Sequence, residues 1–207
     1  MRVDLTAIKD WIPEGSRVLD LGCADGEFLE LLGQQRGVTG VGVEIDTHLL
    51  ARALGRGLDV IQVDKDEGLE SFTRDSFDVV VMAHALQALQ RPHEVLRRMV
   101  DIGREAVVTF PNFGHWQCRL YLGAKGQMPV SKVMPYHWYD TPNIHFCTLK
   151  DFEALCDALD IEILNRDVVG AQAGALLPKL WPNLFAVTAI YQIRRRRGDP
   201  STRPSTE

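Results

Sequence analysis

The chain has 207 residues, of which 45% are hydrophobic and 25% are charged, and its formal net charge at pH 7 is −5. A chain of this length buries enough surface to hold a core without disulfides or metal ions, so we expect one globular domain. The acidic surplus argues against non-specific nucleic-acid binding, which requires an excess of Lys and Arg facing the phosphates.

The N-terminal segment and the cysteines predict a cytoplasmic protein. The first sixteen residues contain five charged side chains and no apolar run, so no signal peptide is expected. The four cysteines show neither zinc-site nor disulfide-framework spacing, which predicts free thiols and no metal centre. The ten-residue apolar run 184–193 is about half as long as a membrane-spanning helix, so we expect a buried strand there and no membrane contact.

Between Arg17 and Phe110, short apolar runs alternate with amphipathic stretches, a pattern typical of a parallel sheet whose strands are joined by helices. The apolar runs predict five strands, at residues 17–21, 39–44, 59–63, 77–82 and 105–110. The stretches between them have leucine and valine at three- and four-residue spacing, which predicts helices at about 27–35, 47–56 and 93–101. The first half of the chain is therefore predicted to form an α/β sheet.

The segment 111–147 breaks this pattern. It has little periodicity and carries prolines, glycines, two tryptophans and three of the six histidines. A segment of this length is too long for a passive connection between elements. It is predicted to be a lid or a docking surface over the sheet edge, or alternatively an aromatic mini-core that covers that edge.

The remainder of the chain returns to regular elements. Thr148 is a good helix N-cap with the acidic Asp151 three residues later, which predicts a helix that runs to about Leu159. Two further strands are predicted, at residues 161–168 and 184–193. Residues 194–207 begin with four arginines and have no apolar side chain, so we expect a single domain over residues 1–193 and then a disordered arginine-rich tail.

A glycine-rich turn follows the first predicted strand and leads directly into a helix. Small residues occupy positions Gly22, Ala24 and Gly26, but Glu27 stands where a dinucleotide fingerprint has its third glycine. The helix opening also carries Asp25, and acidic side chains there repel a pyrophosphate. The sequence therefore predicts a cationic, phosphate-free nucleoside as the ligand, bound at the C-terminal ends of the strands.

Acidic side chains follow the neighbouring predicted strands and are expected at the same sheet edge. Glu44 ends the second strand, twenty-two residues after Gly22, where a carboxylate accepts hydrogen bonds from two ribose hydroxyls. Asp64 ends the third strand and is predicted to accept an adenine amine. Asp20 and Asp25 are predicted to attract an ammonium or sulfonium group.

These features together resemble the class I S-adenosylmethionine-dependent methyltransferases. Residues 20–26 are similar to the first motif of that family, with Ala24 in place of its middle glycine, and residues 76–80 are similar to its fourth strand. The resemblance implies a Rossmann-like α/β fold, a mostly parallel seven-stranded sheet with helices on both faces and an antiparallel closing hairpin. It also implies that S-adenosylmethionine or S-adenosylhomocysteine is bound by Asp20, Gly22, Cys23, Ala24, Gly26, Glu44 and Asp64.

A narrower resemblance is to the MetW proteins of bacterial methionine biosynthesis. It extends over most of residues 1–165 and is carried by five segments, at residues 2–8, 42–46, 110–116, 128–132 and 136–145. The resemblance implies a methyltransferase-fold protein that works with a homoserine O-acyltransferase in making the methionine precursor.

Two functions remain open on the sequence alone. In the first, the protein binds S-adenosylmethionine and activates or regulates the homoserine O-acyltransferase; in the second, it is a free-standing small-molecule methyltransferase. For methyl transfer His84 is the first candidate general base, with His115 and His145 as further candidates. The alternative for His84 is a histidine that is merely packed at a strand end. Neither a methyl acceptor nor an oligomeric state follows from the sequence.

Overall fold

A computed structural model of the chain describes residues 3–64, 68–130, 135–170 and 176–196. Seven strands form one sheet: β1 (Arg17–Leu21), β2 (Thr39–Glu44), β3 (Asp59–Gln62), β4 (Phe77–Ala83), β5 (Gly103–Pro111), β6 (Ile161–Val169) and β7 (Thr188–Arg195). The α-helices in these ranges are α1 (Val3–Lys9), α2 (Glu27–Arg36), α3 (Thr47–Gly55), α4 (Pro92–Ile102), α5 (Trp116–Lys125), α6 (Leu149–Ala158), α7 (Leu177–Leu180) and α8 (Pro182–Phe185). Short 3-10 helices lie at Gly68–Ser71 and Leu86–Ala88.

The strand order is β3-β2-β1-β4-β5-β7-β6. Strands β1 to β5 pair in parallel, whereas β7 runs antiparallel between β5 and β6. The C-terminal ends of the five parallel strands therefore lie along one edge of the sheet, which we call the ligand edge. This arrangement confirms the predicted mostly parallel seven-stranded sheet with an antiparallel closing hairpin.

Each face of the sheet packs into its own hydrophobic core, since successive side chains of a strand point to opposite faces. On β4, Val80 and Met82 belong to one core, and Val79 and Val81 belong to the other. Helices α4 and α6 pack into the first core, and α1 and α2 pack into the second. Helices therefore cover both faces, as the sequence predicts.

The last strand differs from its predicted position. The sequence predicts a strand at 184–193, but α8 occupies the start of that range, and β7 begins at Thr188 and includes Arg194 and Arg195. Both arginines form ion pairs with acidic residues of the domain. The predicted tail therefore begins inside the last strand, and residues 197–207 lie outside the described residues.

Helices α1, α5 and α7 are additions to the elements that the sequence predicts. Helix α1 packs Leu5 and Ile8 into the second core. Helix α5 lies inside the segment 111–147, and of its ten residues Cys118 alone is buried. Its apolar side chains have no common core-facing stripe, which is why their spacing gives no helical signal. Among the described helices, none is long and apolar enough to cross a membrane.

Candidate functional site

The glycine loop, which we define as residues 22–26, connects β1 to α2 at the ligand edge. Three of its five residues have left-handed φ angles: Gly22 (+80°), Ala24 (+51°) and Gly26 (+79°). The N–H groups of Gly22 and Cys23 both donate to the carbonyl oxygen of Val43, at 2.8 and 3.1 Å. The loop is therefore tied to the end of the neighbouring strand β2.

Gly26 has a structural explanation that the sequence alone does not reveal. Its φ of +79° disfavours any side chain, and a Cβ atom at this position would collide with Leu58 Cδ1 and lie 3.2 Å from Ala53 Cβ. Gly26 is thus required for the close packing of the loop against α3 and the chain that follows it. A contact between Gly26 and a ligand stays a prediction.

Glu44 connects the end of β2 to the glycine loop. Its side chain is buried, with a relative exposure of 9%. Its Oε2 atom accepts a hydrogen bond from the Ala24 N–H at 2.9 Å, and its Oε1 atom accepts from the N–H groups of Ile45 and Asp46 at 2.9 and 3.0 Å. A carboxylate offers about four acceptor positions, so binding two ribose hydroxyls requires at least one of these backbone bonds to open.

Asp20, Cys23 and Glu44 form a buried cluster beneath the loop. Asp20 is 3% exposed and pairs in register with Gly42 on β2 and Val81 on β4. Burial, followed by the charges of Asp20 and Glu44, raises the pKa of the Cys23 thiol to about 12. The thiol is therefore protonated at neutral pH and is not a nucleophile.

Asp25 does not take the position that the sequence predicts. Its carboxylate faces α3, where Oδ2 accepts from Arg52 at 2.8 Å and from Arg56 at 3.1 Å. The expectation that Asp25 faces a ligand sulfonium or ammonium group is therefore wrong. The sequence gives no sign of this pairing, because the two arginines lie a full helix and strand further along the chain.

Asp64 lies near the ligand edge but beyond the end of its strand. Strand β3 ends at Gln62, which pairs with Glu44, and Asp64 follows two residues later as an exposed residue. Its carbonyl oxygen accepts the Gly68 N–H at 2.7 Å. Its role in binding an adenine amine stays a prediction.

The three candidate bases differ in their surroundings. His84 follows β4 with a left-handed φ of +57°, and its N–H donates to the carbonyl and hydroxyl oxygens of Thr109. His115 is the N-cap of α5, where its Nδ1 accepts the Gln117 N–H and burial lowers its pKa. The Nε2 atom of His145 lies 3.4 Å from the backbone carbonyl oxygen of Gln90. Only His84 directly follows a strand that neighbours β1, so it remains the first candidate.

Two buried amides at the ligand edge were not predicted. The side-chain Nε2 of Gln87 donates to the Pro111 carbonyl, and the backbone carbonyl of Gln87 accepts the N–H groups of Ile144 and His145. Asn112 donates through Nδ2 to the carbonyl of Ala186 and accepts the Gly114 N–H. Gln87 thus attaches the end of β5 and residues 144–145 to the loop after β4, and Asn112 attaches the segment after β5 to the end of α8. Both follow a predicted strand within five residues, which is the one signal in the sequence.

The assembled site suits a cationic nucleoside that lacks phosphate. Asp20 and Glu44 are buried acids beside the glycine loop, and Glu27 adds negative charge at the start of α2. A pyrophosphate is repelled by this set, whereas a sulfonium or ammonium group is attracted. In the part of the chain that the structure describes, no cluster of three or more His, Cys, Asp or Glu residues is arranged to hold a metal ion.

Comparison with known proteins gives a family match over nearly the whole chain. The model of the family described as methionine biosynthesis protein MetW matches residues 2–193. The bifunctional methionine biosynthesis protein MetXA/MetW of Rhodopirellula baltica is 35% identical over 94% of this chain. The match covers 33% of that protein, so the chain spans about a third of the length of this relative.

Solved structures share the fold at low sequence identity. An S-adenosylmethionine-dependent methyltransferase from Mesorhizobium loti has a TM-score of 0.67 and 18% identity, with 92% of this chain and 96% of that chain covered. The [4+2]-cyclase SpnF has a TM-score of 0.66 and 16% identity, with 94% and 81% covered. These likenesses establish the Rossmann-like methyltransferase fold. SpnF is named for a reaction other than methyl transfer, a [4+2] cyclisation.

Proposed function

The chain belongs to the MetW family of methionine biosynthesis proteins, and from this we propose that it binds S-adenosylmethionine and acts as the partner and activator of a homoserine O-acyltransferase. A role in methionine biosynthesis follows from the family itself. The ligand, its binding residues and the partner are our proposal. The observation that carries the ligand is the buried carboxylate of Glu44 in contact with the glycine loop.

The residues of the site provide each function that this ligand requires. When bound, S-adenosylmethionine supplies a positively charged sulfonium that carries the methyl group. Glu44 accepts the ribose hydroxyls, the backbone of Gly22 allows close approach, and the buried charge of Asp20 favours the cation. The acceptor capacity of Glu44 is already mostly used by backbone N–H groups, so we propose that binding releases the Ala24 N–H.

The partner is supported by the relative from Rhodopirellula baltica, whose name assigns MetXA and MetW to one polypeptide. Two units joined in one chain meet at a high effective concentration, which favours pairs that work together. S-adenosylmethionine is made from the product of the pathway, so its binding gives the partnership a means of feedback. Such regulation requires that the ligand changes the affinity for the partner, and that the partner changes the affinity for the ligand equally.

A free-standing methyltransferase is the second candidate, and the position of His84 is the observation that favours it. His84 follows β4 next to the glycine loop, with a left-handed backbone and a partly buried side chain. Turnover would release S-adenosylhomocysteine together with a methylated metabolite. Incubation with S-adenosylmethionine and a cell extract tests this function, and the absence of both products would argue against it.

Calorimetric titration tests the ligand. We expect wild-type protein to bind S-adenosylmethionine or S-adenosylhomocysteine, and Glu44→Ala to weaken binding about 100-fold, because two hydrogen bonds from ribose to a charged group are lost. Asp25→Ala is the matched control, since it removes the same charge at the ligand edge while the Asp25 carboxylate faces Arg52 and Arg56. Failure of the wild-type protein to bind either compound would refute the ligand.

Activity measurements test the partner. We expect the homoserine O-acyltransferase of the same organism to co-purify with this protein and to be more active in its presence. The titration should be repeated with the acyltransferase present, because coupled binding predicts a changed affinity for S-adenosylmethionine. An acyltransferase with unchanged activity and no detectable complex would refute the partnership while leaving the ligand result intact.

A further inference from the structure

The described part of the chain concentrates its exposed apolar side chains on one region. Every large hydrophobic side chain that is exposed there, except Ile45, Leu54 and Ile61, lies on one of four segments. These segments are α5 and residues 128–130, 136–146 and 176–181, and together we call them the aromatic face. Exposed apolar surface of this extent marks an interaction site in soluble proteins.

A shared groove joins three segments of the aromatic face, and hydrogen bonds bring α5 next to the helix that follows the fourth segment. Tyr121 of α5 lines a groove of about 620 Å³ together with Met128 and Trp138. The side chain of Arg119 donates to the carbonyl oxygens of Gly114 and Asn183, which places α5 next to α8. The face therefore brings together parts of the chain that are distant in sequence.

The side chains of the aromatic face are of the types that dominate binding energy at interfaces. Trp138 is 73% exposed, Tyr139 is 69% exposed and Trp181 is 59% exposed. Trp, Tyr, Met and Arg are enriched at the centres of protein interfaces, where a few such residues contribute most of the affinity. The contact of the Trp138 and Tyr139 rings leaves both of them largely open to solvent.

The charge of the aromatic face is opposite to that of the chain as a whole. Its described residues include three basic side chains, Arg119, Lys125 and Lys179, and one acidic side chain, Asp140. The chain overall has 28 acidic and 23 basic residues. Two copies of this chain meeting face to face would bring like charges together, so the face favours a different protein with an acidic rim.

We infer that the aromatic face is the docking surface for the homoserine O-acyltransferase, an inference that rests on the proposed function. The inference requires an apolar patch with an acidic rim on the acyltransferase. The position of the face links docking to the ligand edge, because Gln87 in the loop after β4 accepts the N–H groups of Ile144 and His145. The aromatic face is thus attached to the loop after β4, and β4 lies next to β1, the strand that leads into the glycine loop.

The test measures binding of the purified full chain to the homoserine O-acyltransferase of the same organism. Leu120→Glu and Trp138→Ala alter the aromatic face at side chains that are 61% and 73% exposed, so folding is preserved. Leu54→Glu is the matched control, because Leu54 is also a helical leucine, is 53% exposed, and lies on α3, next to β3 at the far end of the sheet.

We expect each face variant to weaken acyltransferase binding about tenfold or more, and Leu54→Glu to leave it within about twofold of wild type. All three variants should bind S-adenosylmethionine as the wild type does. Affinity should also fall as salt is raised, because the charged rim is screened.

Three other results would overturn the inference. Face variants that bind the acyltransferase as tightly as wild type would show that docking occurs elsewhere, with the proposed function intact. Face variants that lose self-association, measured by light scattering, but keep acyltransferase binding would assign the face to a second copy of this chain. A wild-type protein that neither binds nor activates the acyltransferase would refute the proposed function, and the docking surface with it.

Discussion

Two residues next to the proposed ligand site have a left-handed backbone conformation. Ala24 lies in the glycine loop and His84 lies in the loop after β4, with φ angles of +51° and +57°. The other non-glycine residues of the described chain with positive φ are Asp75 and Asp160, a residue type that tolerates this conformation. Histidine is also enriched at positive φ, whereas alanine is not, so the strain at the ligand edge falls on Ala24, whose N–H is held by Glu44.

Replacing Ala24 with glycine tests that strain. We expect Ala24→Gly to raise the free energy of unfolding by about 1 kcal/mol, because glycine adopts a positive φ without the Cβ clash. Urea denaturation provides the measurement. The matched control is Ala51→Gly in the exposed middle of α3, which should lower the free energy of unfolding by about 1 kcal/mol. Equal destabilisation by both substitutions would mean that Ala24 is not strained.

At the scale of elements, α5 carries part of the proposed docking surface and is a helix that the sequence does not predict. It begins with an unusual cap, because the Nδ1 of His115 accepts the Gln117 N–H at 3.4 Å. Its glycine C-cap, Gly126, has a φ of +63°. Amphipathic periodicity reveals helices that bury one face, and α5 instead leaves its apolar side chains in solvent.

The cap of α5 gives a pH-dependent stability with a defined sign. Burial lowers the pKa of His115 below its ordinary value of 6.5, so the unfolded chain binds the proton more readily than the folded chain does. The stabilisation from the neutral imidazole is therefore fully present above about pH 6.5 and is lost as the pH falls below that value.

We expect part of the loss of stability between pH 7.5 and pH 5.5 to arise from His115. His115→Asn keeps a good N-cap but cannot be protonated, so urea denaturation at the two pH values should show a smaller difference than in wild type. His93→Asn, at an exposed histidine near the start of α4, is the control and should leave the difference unchanged. A His115→Asn protein with the full wild-type pH dependence would contradict the prediction.

At the scale of the whole molecule, the antiparallel strands complete the sheet and neutralise charge at its end. Arg194 and Arg195 of β7 pair with Glu162 and Asp101, at 2.8 Å in each case. Arg196 forms a further ion pair, with 3.4 Å between its Nη2 atom and Asp157 Oδ1. The first arginines after Ile193 are therefore part of the folded domain, since they extend the pairing of β6 with β7.

Truncation locates the end of the domain. A chain that ends after Arg196 should melt at the same temperature as the full chain and bind the acyltransferase equally well. A chain that ends after Ile193 should melt at a lower temperature, because it loses the last register pairs of β6 with β7 and their ion pairs. Thermal unfolding followed by circular dichroism compares them. Equal melting of both truncated chains would show that the arginines add no stability.

The sequence by itself determined the fold class, the glycine loop and the family. These properties depend on local patterns: valine-rich runs that alternate with amphipathic helices, and small residues at a strand end. Each pattern is set by the residues of one element, so it is present in the sequence before any long-range contact forms. The MetW family and the seven-stranded sheet were therefore predicted correctly.

Only the tertiary structure decided which residues of those patterns face the site. Gly26 packs against Leu58, and Asp25 is held by Arg56, each about thirty residues further along the chain. The aromatic face joins α5 to a segment near Asn183, some sixty residues later. Side-chain direction and exposure depend on contacts between distant parts of the chain, and a local pattern carries no information about them.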